Sequence, residues 1–229
     1  MIEKNVARVK AEIAVAAAKR GVDPHSITLV AATKMNDGEA VRRAIKGGVD
    51  ACGENRVQEL VQKNGEGAYQ GAPLHFIGHL QRNKVKQVVG VADLIESVDS
   101  DRLALEIEKT AENLGIVQKI LVEVNIGGED SKSGISPEEL PGFLARLDKM
   151  PHLKTEGLMT ITPIGETPEE TRPYFKRMYR LFLDMKDKKY DNVTMKYLSM
   201  GMSGDFACAV EEGANMVRVG PAIFGQRNY

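Results

Sequence analysis

The sequence has 229 residues, enough for one large α/β domain or two small ones. Its 31 lysines and arginines nearly balance its 32 aspartates and glutamates, and it contains no tryptophan. This composition argues against nucleic acid and anionic membranes as the main partners. Residues 1–8 are charged and lack the apolar core of a signal peptide, and no apolar run reaches membrane-spanning length.

The cysteines and histidines give no sign of a metal site or of disulfides. Cys52 and Cys208 are far apart in sequence and belong to no metal-binding motif. Two isolated cysteines fit a protein of the reducing cytoplasm, and we expect both to be small buried residues.

The predicted elements begin with an amphipathic helix over residues 2–20, which Gly21 ends. Strand-like and helix-like segments then alternate. The eight strand candidates cover residues 29–33, 49–53, 74–78, 94–98, 120–125, 156–161, 197–200 and 216–219. Helix starts are indicated at Asn36, at Ser100 and at two capping boxes, residues 136–139 and 167–170.

Eight β-α alternations in a chain of this length predict a closed (β/α)8 barrel, a TIM barrel that forms one domain over residues 1–229. An open, doubly wound sheet is the alternative, but it usually has fewer strands, and its GxGxxG fingerprint is absent. The helix before the first strand would be an additional element that closes the bottom of the barrel. Residues 127–134, rich in glycine and serine, are typical of a mobile loop.

In such barrels the catalytic and binding residues lie at the carboxyl ends of the strands. The last two predicted strands lead into segments that contain glycine and serine. Residues 199–205 contain two serines and two glycines before a predicted helix, and Gly220 opens a similar turn. Backbone N–H groups and hydroxyls of such turns bind anions, so the sequence favours a phosphate site here. We also expect Glu54 and Arg56 to pair with each other or with neighbouring strand ends.

Lys34 follows the first strand, which is apolar almost throughout. Taken alone, Lys34 fits a lysine whose stem packs at the strand end while its ammonium extends into solvent. In a closed barrel, however, strand eight is the neighbour of strand one, which places the amine beside the predicted phosphate site. A class I aldolase and a pyridoxal phosphate protein both need a carbonyl-trapping lysine there. The early position of Lys34, with no obvious carboxylate pair beside it, favours pyridoxal phosphate.

Six segments resemble the signatures of the pyridoxal phosphate homeostasis protein family (YggS/PROSC-like), which is related in fold to the barrel domain of alanine racemase. They are residues 29–34, 53–59, 76–84, 157–160, 198–205 and 217–225, and together they span nearly the whole chain. The resemblance implies that the cofactor is pyridoxal 5'-phosphate (PLP), held as a Schiff base on Lys34. It also implies that the other cofactor-binding residues are Asn55, Met159, Ser199, Met200, Gly201, Ser203, Arg218 and Gly220.

The resemblance further implies that Arg218 faces the pyridine nitrogen of PLP. Arginine donates hydrogen bonds and cannot accept a proton, so it would leave the nitrogen unprotonated and disfavour carbanion chemistry. Alanine racemase also has a β-rich second domain that supplies a tyrosine base, whereas this sequence ends at Tyr229, directly after the eighth strand. We therefore expect a cytoplasmic, monomeric PLP carrier or buffer without turnover of its own. A weak PLP-dependent racemase or lyase is the alternative, and PLP-dependent apoenzymes are the expected recipients.

Overall fold

A computed structural model describes residues 1–129, 133–163, 165 and 167–225. Its eight strands are all parallel and close a barrel in sequence order, which confirms the predicted fold. They are β1 Thr28–Ala32, β2 Ala51–Glu54, β3 Leu74–Phe76, β4 Leu94–Val98, β5 Gln118–Glu123, β6 Leu153–Met159, β7 Val193–Ser199 and β8 Met216–Val219.

Helices surround the barrel and connect its strands. They are α1 Ile2–Arg20, α2 Gly38–Lys46, α3 Val57–Gly65, α4 Asp101–Leu114, α5 Leu140–Leu147, α6 Pro168–Lys186, α7 Phe206–Glu211 and α8 Pro221–Phe224. A 3-10 helix, Arg82–Gln87, replaces an α-helix between β3 and β4, and another, Pro24–Ser26, precedes β1. Within the described ranges, no helix is both long and apolar enough to cross a membrane.

Strand β7 begins four residues earlier than the predicted segment, at Val193. Val193 and Met195 are buried whereas Thr194 and Lys196 are exposed, and Val193 pairs with Thr155 of β6. This alternation is the pattern of a strand with one covered face, so the apolar run at 197–200 marks only its end.

Most of the predicted helix boundaries are confirmed. Gly21 ends α1 with a left-handed φ of 75°, and Ser100 caps α4 by accepting a hydrogen bond from the Leu103 N–H. The cap predicted at Asn36 is wrong by one residue. Asp37 accepts the hydrogen bond from the α2 backbone, because the Asn36 side chain donates instead to the carbonyl oxygen of Lys34.

The two capping boxes form, with one difference in where the helix begins. Residues 167–170 make both reciprocal hydrogen bonds, and α6 starts inside the box. Residues 136–139 also make both bonds, but the regular helix α5 starts only afterwards, at Leu140. Of the predicted mobile loop 127–134, residues 130–132 lie outside the described residues.

Helix α1 does not close the barrel bottom, contrary to the expectation from sequence. It packs in the helix layer against α2, α7 and α8. The Asn5 side chain donates to the Ile223 carbonyl oxygen, and the Arg8 side chain donates to that of Ala222. Helix α8 has only four residues, so α1 covers the side of the barrel that α8 leaves open.

The barrel interior combines an apolar cluster with buried polar residues towards the carboxyl ends of the strands. The apolar cluster inside the barrel comprises Val30, Ala51, Leu94, Leu121, Met159 and Met216, with Tyr197 packed against it. Side chains two residues further along a strand face the same side. Beyond Leu94, Met216 and Tyr197, the interior positions are therefore occupied by Glu96, Arg218 and Ser199, all buried. These polar residues form the floor below the barrel mouth.

Candidate functional site at the seam of the barrel

Lys34 lies in the turn that follows β1, at the seam where β1 pairs with β8. In this seam Val30 is opposite Arg218, and Ala31 is opposite Val219. Gly220 is therefore next to the end of β1, and a Cβ built on it would lie 3.3 Å from the Ala32 carbonyl oxygen. Lys34 itself is half-buried, two residues beyond Ala32. The fold thus brings the predicted lysine and the predicted phosphate loops to one edge of the barrel.

The loops after β7 and β8 are joined by the hydroxyl of Ser203. Its Oγ accepts hydrogen bonds from the backbone N–H of Gly220 at 3.1 Å and of Ala222 at 3.2 Å. Two main-chain donors therefore converge on one oxygen atom. An oxygen of a bound anion can take that place and receive the Ser203 O–H as a third donor.

Gly201 gives the first of these loops its shape. Its φ is 94°, a left-handed conformation that glycine adopts without strain. A Cβ at this position would lie 2.5 Å from the Ala209 Cβ, so the loop passes too close to α7 for a side chain. The Asp205 carboxylate then accepts the Met202 N–H at 2.7 Å and closes the turn. Burial raises the pKa of Asp205, although this hydrogen bond opposes the shift.

A chain of buried hydrogen bonds runs beneath the loops. Arg218 Nη1 donates to Ser199 Oγ at 2.6 Å, and Ser199 Oγ donates to Glu96 Oε2 at 2.6 Å. The other carboxylate oxygen of Glu96 lies 2.7 Å from His75 Nδ1. Arg218 Nη2 also donates to the Thr160 carbonyl oxygen at 2.8 Å, which fixes the plane of the guanidinium.

The charged residues in this series of hydrogen bonds compensate one another. Burial alone would raise the pKa of Glu96, but the hydrogen bond from His75 and the nearby Arg218 outweigh it, and the pKa is lowered. Burial lowers the pKa of Arg218, while Glu96 opposes that change. Arginine titrates so far above neutrality that Arg218 remains a cation. The floor of the mouth therefore carries a fixed cation and a fixed anion.

Glu123 is a second buried carboxyl group at the same level. It ends β5, and only 6% of its surface is exposed. Burial, together with the charge of Asp99, raises its pKa to about 7, although Arg218 opposes the shift. Glu123 can therefore change its charge close to neutral pH.

Asn55 and Met159 lie at the ends of β2 and β6. The Asn55 side-chain oxygen is buried and accepts no hydrogen bond from the described part of the chain. Buried acceptors in proteins are almost always paired, so this oxygen marks a place for a ligand donor or water. Met159 is fully buried in the apolar cluster inside the barrel.

Eight of the nine predicted cofactor-binding residues lie on the seam, its loops or the barrel interior. The exception is Met200, whose side chain packs in the larger apolar cluster that contains the helices. Its N–H donates to the Met216 carbonyl oxygen. Met200 therefore supports the loop from outside the barrel.

The sequence did not reveal the functional candidates Glu96, Glu123 and Lys63. Glu54 pairs with Lys63 at 2.6 Å, and Arg56 lies 3.8 Å from Glu59, so Glu54 and Arg56 do not pair with each other. A charged residue within a strand that otherwise contains three apolar residues and one serine was the available signal for Glu96. Among the residues that the structure describes, no group of three or more His, Cys, Asp or Glu side chains could hold a metal ion.

Comparison with known proteins identifies the family. Residues 5–228 match the family model described as alanine racemase, N-terminal domain. A pyridoxal phosphate homeostasis protein of Aquifex aeolicus is 42% identical over 226 residues, which cover 99% of this chain and 98% of the relative. The structure of PipY from Synechococcus elongatus with PLP bound is 32% identical, with a TM-score of 0.83, and the match covers 98% of this chain and all of PipY.

A more distant structural relative shares the barrel alone. An alanine racemase of Clostridium difficile is 17% identical with a TM-score of 0.74, and the match covers 99% of this chain and 60% of the racemase. The full-length relatives and the family model confirm the resemblance found in the sequence: the chain belongs to the pyridoxal phosphate homeostasis protein family, whose barrel is that of the alanine racemase N-terminal domain.

Proposed function

We propose that this protein binds PLP at the β1–β8 seam through a Schiff base with Lys34 and serves PLP homeostasis as a carrier or buffer. The observation that carries the proposal is the pairing of β1 with β8, which brings the turn that contains Lys34 and the two backbone donors of Gly220 and Ala222 to the same edge of the barrel. A homeostasis protein of Aquifex aeolicus and the PLP-bound PipY are full-length relatives, which supports the same ligand here.

The residues of the site fit each part of PLP. Bound PLP supplies an aldehyde, which condenses with a primary amine and releases its oxygen as water. Lys34 offers the amine. The N–H groups of Gly220 and Ala222, with the Ser203 hydroxyl, offer three donors for the phosphate. The buried side-chain oxygen of Asn55, which has no hydrogen-bond partner among the described residues, offers an acceptor for a polar group of the ring.

Arg218 favours holding the cofactor over catalysis. We propose that its guanidinium faces the ring nitrogen, as the family resemblance implies. Its bonds to Ser199 and to the Thr160 carbonyl oxygen would keep it there. A cation that cannot accept a proton leaves the nitrogen neutral and the ring a weak electron sink. We further propose that the protein is a cytoplasmic monomer that supplies PLP-dependent apoenzymes.

A weak PLP-dependent racemase or lyase remains the second candidate, and one observation favours it. Glu123 is buried at the barrel mouth with a pKa of about 7, as a proton carrier at neutral pH requires. If this candidate is right, an amino acid should be racemised or cleaved at a rate that falls on Glu123→Gln and on Lys34→Ala.

Borohydride reduction tests the lysine and the ligand together. Wild-type protein incubated with PLP should show a visible absorption band that reduction bleaches, and peptide mass spectrometry should find the pyridoxyl group on Lys34. Lys34→Ala should lose both signals, whereas Lys10→Ala should keep them, because Lys10 is a partly exposed lysine that pairs with Asp50. No adduct, or an adduct on another lysine in the wild type, contradicts the proposal. An adduct formed only with a sugar phosphate would indicate that the protein is a class I aldolase instead.

A further inference from the structure

We infer that Lys63 and Glu59 of α3 are positioning residues that hold the turn around Lys34 from both sides, an inference that rests on the proposed role of Lys34. Lys63 Nζ donates to the carbonyl oxygen of Thr33 at 2.9 Å. Glu59 Oε2 accepts the N–H of Met35 at 2.6 Å. Thr33 and Met35 are the two neighbours of Lys34 in the chain, so one helix binds the backbone immediately before and after it.

Lys63 is a buried lysine whose hydrogen-bonding capacity is fully used. Besides the Thr33 carbonyl, its ammonium contacts Glu54 Oε1 at 2.6 Å and Glu59 Oε2 at 2.9 Å. An ammonium has three hydrogens, and each has an acceptor here. Tyr69 donates to the same oxygen of Glu54 at 3.1 Å. The Lys63 cation is therefore compensated inside the protein, and one of its three bonds is directed at the turn.

Met35 shows that the turn needs to be held. Its φ is 61°, and no other non-glycine residue in the described ranges has a positive φ. Methionine rarely adopts this conformation, which persists where surrounding contacts determine it. Met35 is 56% exposed and provides little packing, so hydrogen bonds hold its backbone: its own N–H donates to Glu59, and the Asn36 N–H donates to the Thr33 carbonyl oxygen across the turn.

The consequence concerns the direction of the Lys34 side chain. With its neighbours fixed to α3, Lys34 leaves the backbone at a set position relative to the β1–β8 seam. Small displacements of a reacting group reduce its reactivity strongly. We call the two bonds from Lys63 and Glu59 to this turn the clamp, and we expect it to keep the amine aligned with the ligand and to slow the release of PLP.

Glu59 provides the sharpest test because its removal leaves the buried Lys63–Glu54 pair in place, with Lys63 losing one of its three acceptors. Glu59→Ala removes the acceptor of the Met35 N–H, whereas Glu59→Gln keeps an oxygen there. Tyr69→Phe removes a hydrogen bond of Glu54 but leaves both bonds to the turn, which makes it a matched control. Lys63→Met alone would strand the buried Glu54, so the double variant Lys63→Met/Glu54→Gln removes the second bond.

Two quantities should be measured: hydrogen exchange of the Met35 amide in the cofactor-free protein, and the rate of PLP release to a scavenger. Glu59→Ala should raise each by at least about tenfold. The double variant should also raise the release rate. Glu59→Gln should restore values near those of the wild type, and Tyr69→Phe should leave both near them. A purely structural role would lower the midpoint of unfolding without changing release from the folded protein.

Unchanged amide exchange and unchanged release in folded Glu59→Ala would overturn the inference while leaving the proposed function intact. Fast release in Tyr69→Phe would also overturn it, since that variant keeps the clamp. A borohydride adduct on a lysine other than Lys34 would overturn the proposed function and with it the purpose of the clamp. The exchange measurement uses protein without PLP, so the two failures are separable.

Discussion

Ser199 Oγ lies 2.6 Å from Arg218 Nη1 and accepts its hydrogen bond inside the barrel. The same hydroxyl donates to Glu96, whose nearer carboxylate oxygen is 3.9 Å from the guanidinium. The cation and the anion are thus joined mainly through one hydroxyl. Since both charges are buried, the hydroxyl satisfies groups that water cannot easily reach.

Ser199→Ala should therefore destabilise the cofactor-free protein. It leaves Arg218 and Glu96 each without one buried partner, at a cost of about 1–3 kcal/mol. Urea unfolding followed by circular dichroism measures the change. Ser97→Ala is a matched control, because the Ser97 hydroxyl is equally buried but has no hydrogen-bond partner in the described structure. Equal losses in the two variants would show that the bridge contributes nothing.

Two glycines of the β7–α7 loop should respond differently to alanine. Gly201→Ala places a Cβ at a φ of 94° and 2.5 Å from the Ala209 Cβ, so it should cost about 2 kcal/mol or more. It should also weaken PLP binding, because the loop carries Ser203. Gly204→Ala has open space around its new Cβ and should change stability by less than about 0.5 kcal/mol. Thermal unfolding and absorbance titration with PLP measure both effects, and similar behaviour of the two variants would contradict the prediction.

Glu123 should make the stability of the protein depend on pH. Its pKa rises from the ordinary value of 4.5 to about 7 on folding, so the folded state resists its ionisation. The stabilising contribution of Glu123 to the free energy of unfolding is present in full below pH 4.5. It is lost as the pH rises to 7 and above, by up to about 3 kcal/mol.

Glu123→Gln removes this loss. Its free energy of unfolding relative to the wild type should therefore increase from pH 4.5 to pH 8, as urea titrations at several pH values can measure. Glu12→Gln, a change at an exposed glutamate, should show no such trend. A difference between Glu123→Gln and the wild type that is independent of pH would mean that the carboxyl group is already ionised below neutrality.

The two thiols should be unreactive in the folded protein. Cys52 and Cys208 are free and buried, as their isolated positions in the sequence predicted. Burial raises the pKa of Cys52 to about 12 and that of Cys208 to about 11, so neither forms the reactive thiolate at pH 8. Titration with Ellman's reagent should detect almost no thiol in buffer and two per chain in denaturant. Rapid labelling without denaturant would contradict the burial of the thiols.

Local sequence signals were sufficient for the barrel and for most of the proposed site. The alternation of apolar strands and capped helices depends on neighbouring residues, and each strand end could be located within a few positions. Lys34, Gly201, Ser203 and Gly220 lie within four residues of a strand end. Once closure is assumed, they must meet at one edge, whatever the details of packing.

Contacts that depend on register could not be predicted. Glu96 contacts Ser199 and His75 only because of the register between the strands that carry these residues. This register cannot be predicted from the sequence of any one segment. The clamp on Lys34 likewise needs α3 to lie beside the turn after β1. The predicted position of α1 was wrong for a similar reason, because the sequence did not show that α8 is short.

The seam between β1 and β8 also bears on how the protein folds. Asn5 of α1 donates to the Ile223 carbonyl oxygen of α8 although the two are 218 positions apart in the sequence, and Ala31 pairs with Val219 across the seam. Contacts between such distant segments carry a high cost in loop closure and form late in folding. The candidate binding site is therefore completed only when the barrel closes. A ligand that occupies it should stabilise the entire barrel against unfolding, rather than one local segment.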